Sequence, residues 1–248
     1  MVTGPLEGKS ALVTGGSRGV GAGIVARLAA DGARVAFTYA HSKERAQQVA
    51  DAVAATGGVA QAIRADSLVE VDVVSAVAHT VDHFGGLDIL VNNAGVGSFT
   101  EITDLTMTEI DAMLTVNVRS AIVAIRESLA HLGEGGRIIN IGSINADRMP
   151  FPGGSIYAMT KGALSSLTRG LARELAPRGI TINNVQPGPV DTDANPADGP
   201  AASAMLGVMA VDRFGTAAEV GAFVSFLAGP EAAYITGASL NIDGGFGG

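Results

Sequence analysis

The 248-residue chain has no cysteine, which excludes disulfides, thiolate metal sites and a cysteine nucleophile and is compatible with a reducing compartment. It has no surplus of positive charge either: 16 Lys and Arg stand against 24 Asp and Glu, a formal net charge of −8. Proteins that hold DNA, RNA or an anionic membrane need clustered basic side chains, so neither nucleic acid nor membrane is an expected partner. No uncharged apolar run reaches the ~18 residues of a membrane span, and the first residues carry no apolar signal core. A soluble, cytoplasmic protein is the expectation. Linkers and low-complexity tracts are also missing, and the length suits one large domain with a well-buried core, covering residues 1–248.

What is present fits a compact enzyme. Hydrophobic residues make up 47%, charged residues 16%, and 34 glycines point to tight turns and close backbone approaches. Short β-branched apolar runs at residues 10–14, 33–38, 59–63, 87–91, 137–141, 181–185 and 239–242 read as strands. Helical patterns lie between them, at about 20–30, 43–55, 68–84, 106–132 and 155–176. This alternation predicts repeated βαβ units, hence an α/β fold with a doubly wound, seven-stranded parallel sheet and helices on both faces. One stretch is irregular: residues 186–200 hold four prolines and three aspartates after the sixth strand. In such sheets the ligand crevice lies at the carboxyl ends of the strands, so a lid over about 186–215 is expected there.

Strand one runs into Thr14-Gly15-Gly16-Ser17-Arg18-Gly19-Val20-Gly21. Glycines at this place let the backbone turn sharply, approach a pyrophosphate and aim amides at it from a helix N-terminus. The spacing Gly-x3-Gly-x-Gly differs from the usual Gly-x-Gly-x2-Gly dinucleotide fingerprint. Strand four ends in Asn92-Asn93-Ala94-Gly95, where side-chain amides can tie adjacent strand ends together. Further along, Tyr157 and Lys161 lie four apart in a helical pattern, with Ser143 fourteen residues upstream of the tyrosine. A free phenol titrates near pH ~10, but a lysine one turn along the same helix face stabilises the phenolate, and a serine hydroxyl beside it can hold a carbonyl or alcohol oxygen.

Thr14-Gly15-x3-Gly19-x-Gly21, Asn92-Asn93-Ala94-Gly95, Asn117, Ser143, Tyr157-x3-Lys161 and Pro187-Gly188 stand in the order and at the spacings of the short-chain dehydrogenase/reductase family, which the whole chain resembles. The resemblance implies a Rossmann-type fold and an oxidoreductase acting on CH–OH groups, moving a hydride between NADP(H) and a ketone or aldehyde. Tyr157 would exchange a proton with the substrate oxygen, Ser143 would orient that oxygen, and Lys161 would lower the tyrosine pKa and bond the nicotinamide ribose. Asn117 would hold a water linking the lysine to solvent. Implied cofactor contacts are Gly15, Ser17, Arg18, Gly19, Val20, Gly21, Tyr39, Ser42, Lys43, Asp66, Ser67, Asn93, Ala94, Gly95, Pro187, Gly188, Val190 and Thr192, together with Tyr157 and Lys161. The substrate would meet Asn145, Phe151 and Pro189 beside Ser143 and Tyr157. A symmetric homotetramer is implied as well.

The end of strand two favours NADP(H). NAD-preferring proteins usually place an acid there for the ribose hydroxyls; this chain has Thr38-Tyr39-Ala40-His41-Ser42-Lys43, and its first carboxylate is Glu44. Arg18 with Ser42 or Lys43 can meet a 2′-phosphate. A second set of runs, Asp147-Arg148-Met149-Pro150, Arg169-Gly170-Leu171-Ala172-Arg173 and the stretch from Gln186 to Pro196, resembles a cyclic-di-GMP-binding branch of the same family. It leaves open an alternative function, nucleotide signalling with catalysis secondary. The carboxylates of Asp191, Asp193 and Asp198 argue against a dianionic ligand, with Arg148 and Arg213 as the evident counter-charges. Asp191-Thr192-Asp193-Ala194-Asn195 copies the start of a calcium loop, but Pro196 and Ala202 stand where glycine and glutamate are needed, and no metal is expected. Arg169 and Arg173 read as partners for acids such as Glu174.

Overall fold

A computed structural model describes residues 4–248. Seven strands, β1 (Ser10–Val13), β2 (Arg34–Tyr39), β3 (Val59–Arg64), β4 (Ile89–Asn92), β5 (Arg137–Ile141), β6 (Thr181–Pro187) and β7 (Ser239–Ile242), form one sheet in the order β3-β2-β1-β4-β5-β6-β7. Every pairing is parallel. The helices are α1 (Gly19–Ala30), α2 (Lys43–Ala55), α3 (Glu70–Phe84), α4 (Met107–Leu114), α5 (Ser120–Ser128), α6 (Ser155–Leu175), α7 (Ala202–Leu206) and α8 (Ala217–Ala228).

Successive strand side chains point to opposite faces, and both faces here are apolar. Ala11 and Val13, Ile89 and Val91, and Ile139 and Ile141 face Ile24 and Leu28 of α1 and Val220 and Val224 of α8. The intervening Leu12, Leu90 and Ile138 face Val77 of α3, Ala124 of α5 and Leu175 of α6. Phe37, wholly buried, fills the first of these layers; burying such a side chain contributes about 2 kcal/mol. Helices α1 and α8 cross at glycines: a Cβ on Gly23 would lie 2.4 Å from the Ala217 carbonyl oxygen, and one on Gly221 would lie 2.5 Å from that of Gly23.

Three differences from the sequence expectation have physical causes. The helical pattern at 106–132 is not one helix but α4, a π-helical turn at Thr115–Arg119 and α5. A π turn inserts an extra residue into the helical ladder, and here it carries Asn117, whose side chain is committed to groups outside the helix. Strand four begins two residues late, at Ile89, because Asp88 turns its carboxylate to Ser10 N (2.9 Å), Ser10 Oγ (3.1 Å) and Lys9 Nζ (3.0 Å). Helices α7 and α8 lie where the pattern assigns none. For α8 the start signal is Thr216 with Glu219, a capping box whose two halves both form, but its apolar residues run all round and leave no polar face to read.

Candidate active site

The sheet order reverses between β1 and β4, so the loops leaving these two strands diverge and open a crevice at their carboxyl ends. A groove of about 550 Å³ lies there, lined from the first loop by Gly15, Ser17, Arg18, Gly19, Val20 and Gly21. Polar side chains fix its floor. Thr14 Oγ1 accepts from Asn93 N and Ala94 N, both at 3.0 Å; Asn93 Nδ2 donates to Thr14 O and Gly15 O, both at 2.9 Å; Thr38 Oγ1 accepts from Gly15 N at 2.9 Å. Asn92 Nδ2 ties β4 to β5 through Asn140 Oδ1 at 2.9 Å. Gly15 and Gly19 have φ of +68° and +52°, conformations that side-chain-bearing residues seldom adopt. A Cβ on Gly21 would stand 2.2 Å from Gly15 O, so the turn closes only with glycine there.

Beside the groove four side chains converge from three elements. Tyr157 and Lys161 come from successive turns of α6, Ser143 follows β5, and Asn117 comes from the π turn. Asn117 Oδ1 accepts from Val96 N (2.8 Å), and its Nδ2 donates to Val96 O (2.8 Å) and Thr160 Oγ1 (2.9 Å). Thr160 Oγ1 in turn donates to Tyr157 O at 2.7 Å. Lys161, 4% exposed, donates from Nζ to Ile141 O at 2.9 Å and lies 5.8 Å from the Tyr157 ring centre. A Cβ on Gly95 would be 3.2 Å from Lys161 Nζ and 3.5 Å from Asn117 Oδ1. Gly95 and Val96 also line the groove, so the nucleotide groove and this cluster share a wall kept open by the missing side chain.

Burial governs the charges here. It raises the Tyr157 phenol above its ordinary 10.0, and the hydroxyl of Ser143 pulls the other way. It lowers the Lys161 amine from 10.5 to about 8. Lys161 Nζ spends its hydrogen bond on Ile141 O, and burial is the main influence on the phenol.

Of the other expected contacts, Tyr39, Ser42, Asp66, Ser67, Asn93, Ala94 and Thr192 line the groove, whereas Lys43 heads α2 in solvent and does not. Pro187, Gly188 and Val190 lie outside the lining, Gly188 packed so close to Asp243 that a Cβ would stand 2.6 Å from its Cα. Asn145 donates its N–H to Ser143 Oγ at 3.1 Å; Phe151 is partly buried and Pro189 buried. Phe99, which no sequence motif marks, has its ring centre 5.4 Å from that of Tyr157 and is 60% exposed. Only the fold brings it there, by seating its carbonyl 2.6 Å from where a Gly153 Cβ would be.

The counter-charges are also corrected. Arg148 Nη1 donates to Phe246 O and Gly248 O, both at 2.6 Å, and Arg213 grips Glu219 with bonds of 3.0 and 2.6 Å. Asp193, in the stretch after β6, instead pairs with Arg45 of α2. Arg169 donates to Ser166 Oγ at 3.0 Å, and no ion pair of Arg169 or Arg173 with Glu174 forms among the described residues. His79 and His83 stack with ring centres 6.1 Å apart, and His79 Nε2 meets Gln61 Nε2 at 3.0 Å.

Comparison with known proteins agrees with this geometry. Residues 15–247 match a family model described as enoyl-(acyl carrier protein) reductase. A short-chain dehydrogenase/reductase from Serratia marcescens is 56% identical and superposes with a TM-score of 0.97, the match covering 98% of this chain and 100% of that one. A short chain dehydrogenase from Burkholderia cenocepacia, solved in complex with NADP, is 55% identical with a TM-score of 0.97 and the same coverage. This chain belongs to the short-chain dehydrogenase/reductase family of oxidoreductases. Within it, the chain is similar to the cyclic-di-GMP-binding biofilm dispersal mediator protein of Escherichia coli strain K12, 47% identical over 244 residues that span 98% of this chain and 99% of that protein.

Proposed function

We propose that the protein is an NADP(H)-dependent carbonyl reductase, or alcohol dehydrogenase in reverse, in which Tyr157 is the general acid and base. The observation that carries this reading is the shared wall at Gly95, where the glycine-lined groove runs into the cluster of Asn117, Ser143, Tyr157 and Lys161. Bound NADPH would supply the hydride. The residues do the rest. Gly15 to Gly21 and the first amides of α1, which have no partner within the helix, would hold the pyrophosphate of NADPH. Ser143 fixes the substrate oxygen by a hydrogen bond, and Tyr157, a phenol protonated at neutral pH, donates its proton to that oxygen. Lys161 ties the phenol's helix to β5 at Ile141 O, and Asn117 ties it to the Val96 loop. Phe99, beside Tyr157, offers an aromatic face to a ketone with an apolar substituent. NADPH oxidation that depends on an added ketone tests the reading.

The preference for NADP(H) rests on Arg18 and Ser42, which line the groove beside Tyr39 and His41 with no carboxylate between β2 and Glu44. The NADP complex of the Burkholderia cenocepacia relative supports it. Arg18→Ala is expected to weaken NADPH by about tenfold and NADH by much less, because only NADPH carries the 2′-phosphate that a guanidinium meets with charge-assisted hydrogen bonds. Fluorescence titration of both nucleotides checks this; equal losses would remove Arg18 from that role.

The same reading includes a homotetramer. β7 is a sheet edge, and Met107, Ile122, Met159 and the fully exposed Tyr234 present apolar surface to solvent. Light scattering after size exclusion should give close to four chain masses, against one for a monomer at micromolar concentration. A second function, binding cyclic di-GMP, is favoured by the relative from Escherichia coli alone. The engagement of Arg148 and Arg213 elsewhere leaves two phosphates without obvious partners, so a neutral carbonyl compound is the preferred ligand class.

A further inference from the structure

Asp147-Arg148-Met149-Pro150 and the run beginning at Gln186 are far apart in sequence, yet Gln186 Nε2 donates to Asp147 Oδ2 at 2.6 Å. Gln186 is 0% exposed, and its amide uses its full capacity. Nε2 also donates to Asn241 Oδ1 of β7 (3.0 Å), while Oε1 accepts from Ser165 Oγ (3.0 Å) and Asn184 Nδ2 (3.1 Å). Two donors and two acceptor positions are all that a glutamine side chain has. A buried amide so filled has one orientation, and losing it takes away the acceptor of the buried Ser165 hydroxyl.

The partners lead to both halves of the proposed catalytic group. Ser165 lies on α6 one turn beyond Lys161 and two beyond Tyr157, so the three share a helix face. Asp147 closes the single 3₁₀ turn that leaves Ser143, its N–H donating to Ile144 O at 3.0 Å. The residue before Ser143 is held to the same strand, since Gly142 N donates to Val185 O at 2.7 Å and a Cβ on Gly142 would stand 2.6 Å from Asn184 Oδ1. We propose that Gln186, with Asp147, is a positioning residue that fixes the Ser143 turn against α6 and so sets the Ser143 hydroxyl against the Tyr157 phenol. The inference rests on the catalytic reading of Ser143 and Tyr157 given above, but its test needs no turnover.

The test is the titration of the Tyr157 phenol, followed by NMR of tyrosine labelled with ¹³C at Cζ, its resonance assigned with Tyr157→Phe. Asp147→Ala and Gln186→Met should each raise the midpoint, by up to about one pH unit, the worth of one hydrogen bond. In a Ser143→Ala background neither should change it further, because the effect travels through the serine hydroxyl. A merely structural role would persist in that background. Unchanged midpoints in the single variants, or equal shifts with and without Ser143, would overturn the proposal. Should Gln186→Met not fold, Asp147→Ala, at an exposed residue, decides alone. Undiminished ketone reduction by Tyr157→Phe would sink the catalytic reading and leave the titration result standing.

Discussion

Tyr157→Phe is expected to lower NADPH-dependent ketone reduction by at least ~10²-fold, the low end of what a positioned general acid supplies. The substitution keeps the ring, so its contact with Phe99 and the packing of α6 survive. Only the proton donor goes. Affinity for NADPH should stay within a factor of about three, since no hydrogen bond of the groove floor involves the phenol oxygen. Steady-state kinetics with a nucleotide titration on the same sample decides it, and near-normal turnover would remove Tyr157 from the role.

Lys161→Met is expected to do two opposite things: lower turnover, by releasing the α6 turn that follows Tyr157 from Ile141 O, and stabilise the fold near neutral pH. A fall of the amine from 10.5 to about 8 corresponds to about 3 kcal/mol of preference for the neutral form. Below pH 8 the side chain is protonated in both folded and unfolded chains, and the full cost of burying the charge weighs on the fold. Between about 8 and 10.5 the unfolded chain holds a proton that the folded chain has released, so wild-type stability rises with pH across that window. Methionine has no charge to bury. It loses the bond to Ile141 O, worth about 1 kcal/mol, and the net gain near pH 7 is about 2 kcal/mol. Thermal unfolding at several pH values checks this: the variant should melt higher at pH 7, and the gap should close as pH approaches 10.5. A variant less stable than wild type at pH 7 would mean that Lys161 is better solvated than its burial indicates. Stability given up at a functional side chain is a common trade.

The sheet was legible because its strands are short β-branched runs with punctuation at both ends, and both faces are covered, so periodicity and length agree. Helix α8 was not, because a helix apolar on all sides has no stripe to find, and its capping box was the one local signal. The glycine loop and the Tyr157–Lys161 pair could be seen because their chemistry depends on local spacing. The π turn at Asn117 could not: its backbone follows from side-chain bonds to Val96 and Thr160, which the sequence places 21 and 43 residues away. Phe99, Arg45 and the amide of Gln186 were hidden for the same reason, since each acquires its partner only when loops from different strands meet. Desolvation is likewise a property of the packed chain, and it is the main influence on the Tyr157 phenol.

The central claim is that the groove and the Tyr157 cluster act together on a carbonyl. The most direct measurement is the loss of NADPH absorbance when the protein is given a panel of ketones and aldehydes, aromatic members included, with NADH in parallel. The account predicts carbonyl-dependent oxidation, faster with NADPH than with NADH. A protein that binds NADPH yet oxidises none of it across the panel, while taking up cyclic di-GMP at micromolar concentration, would contradict it.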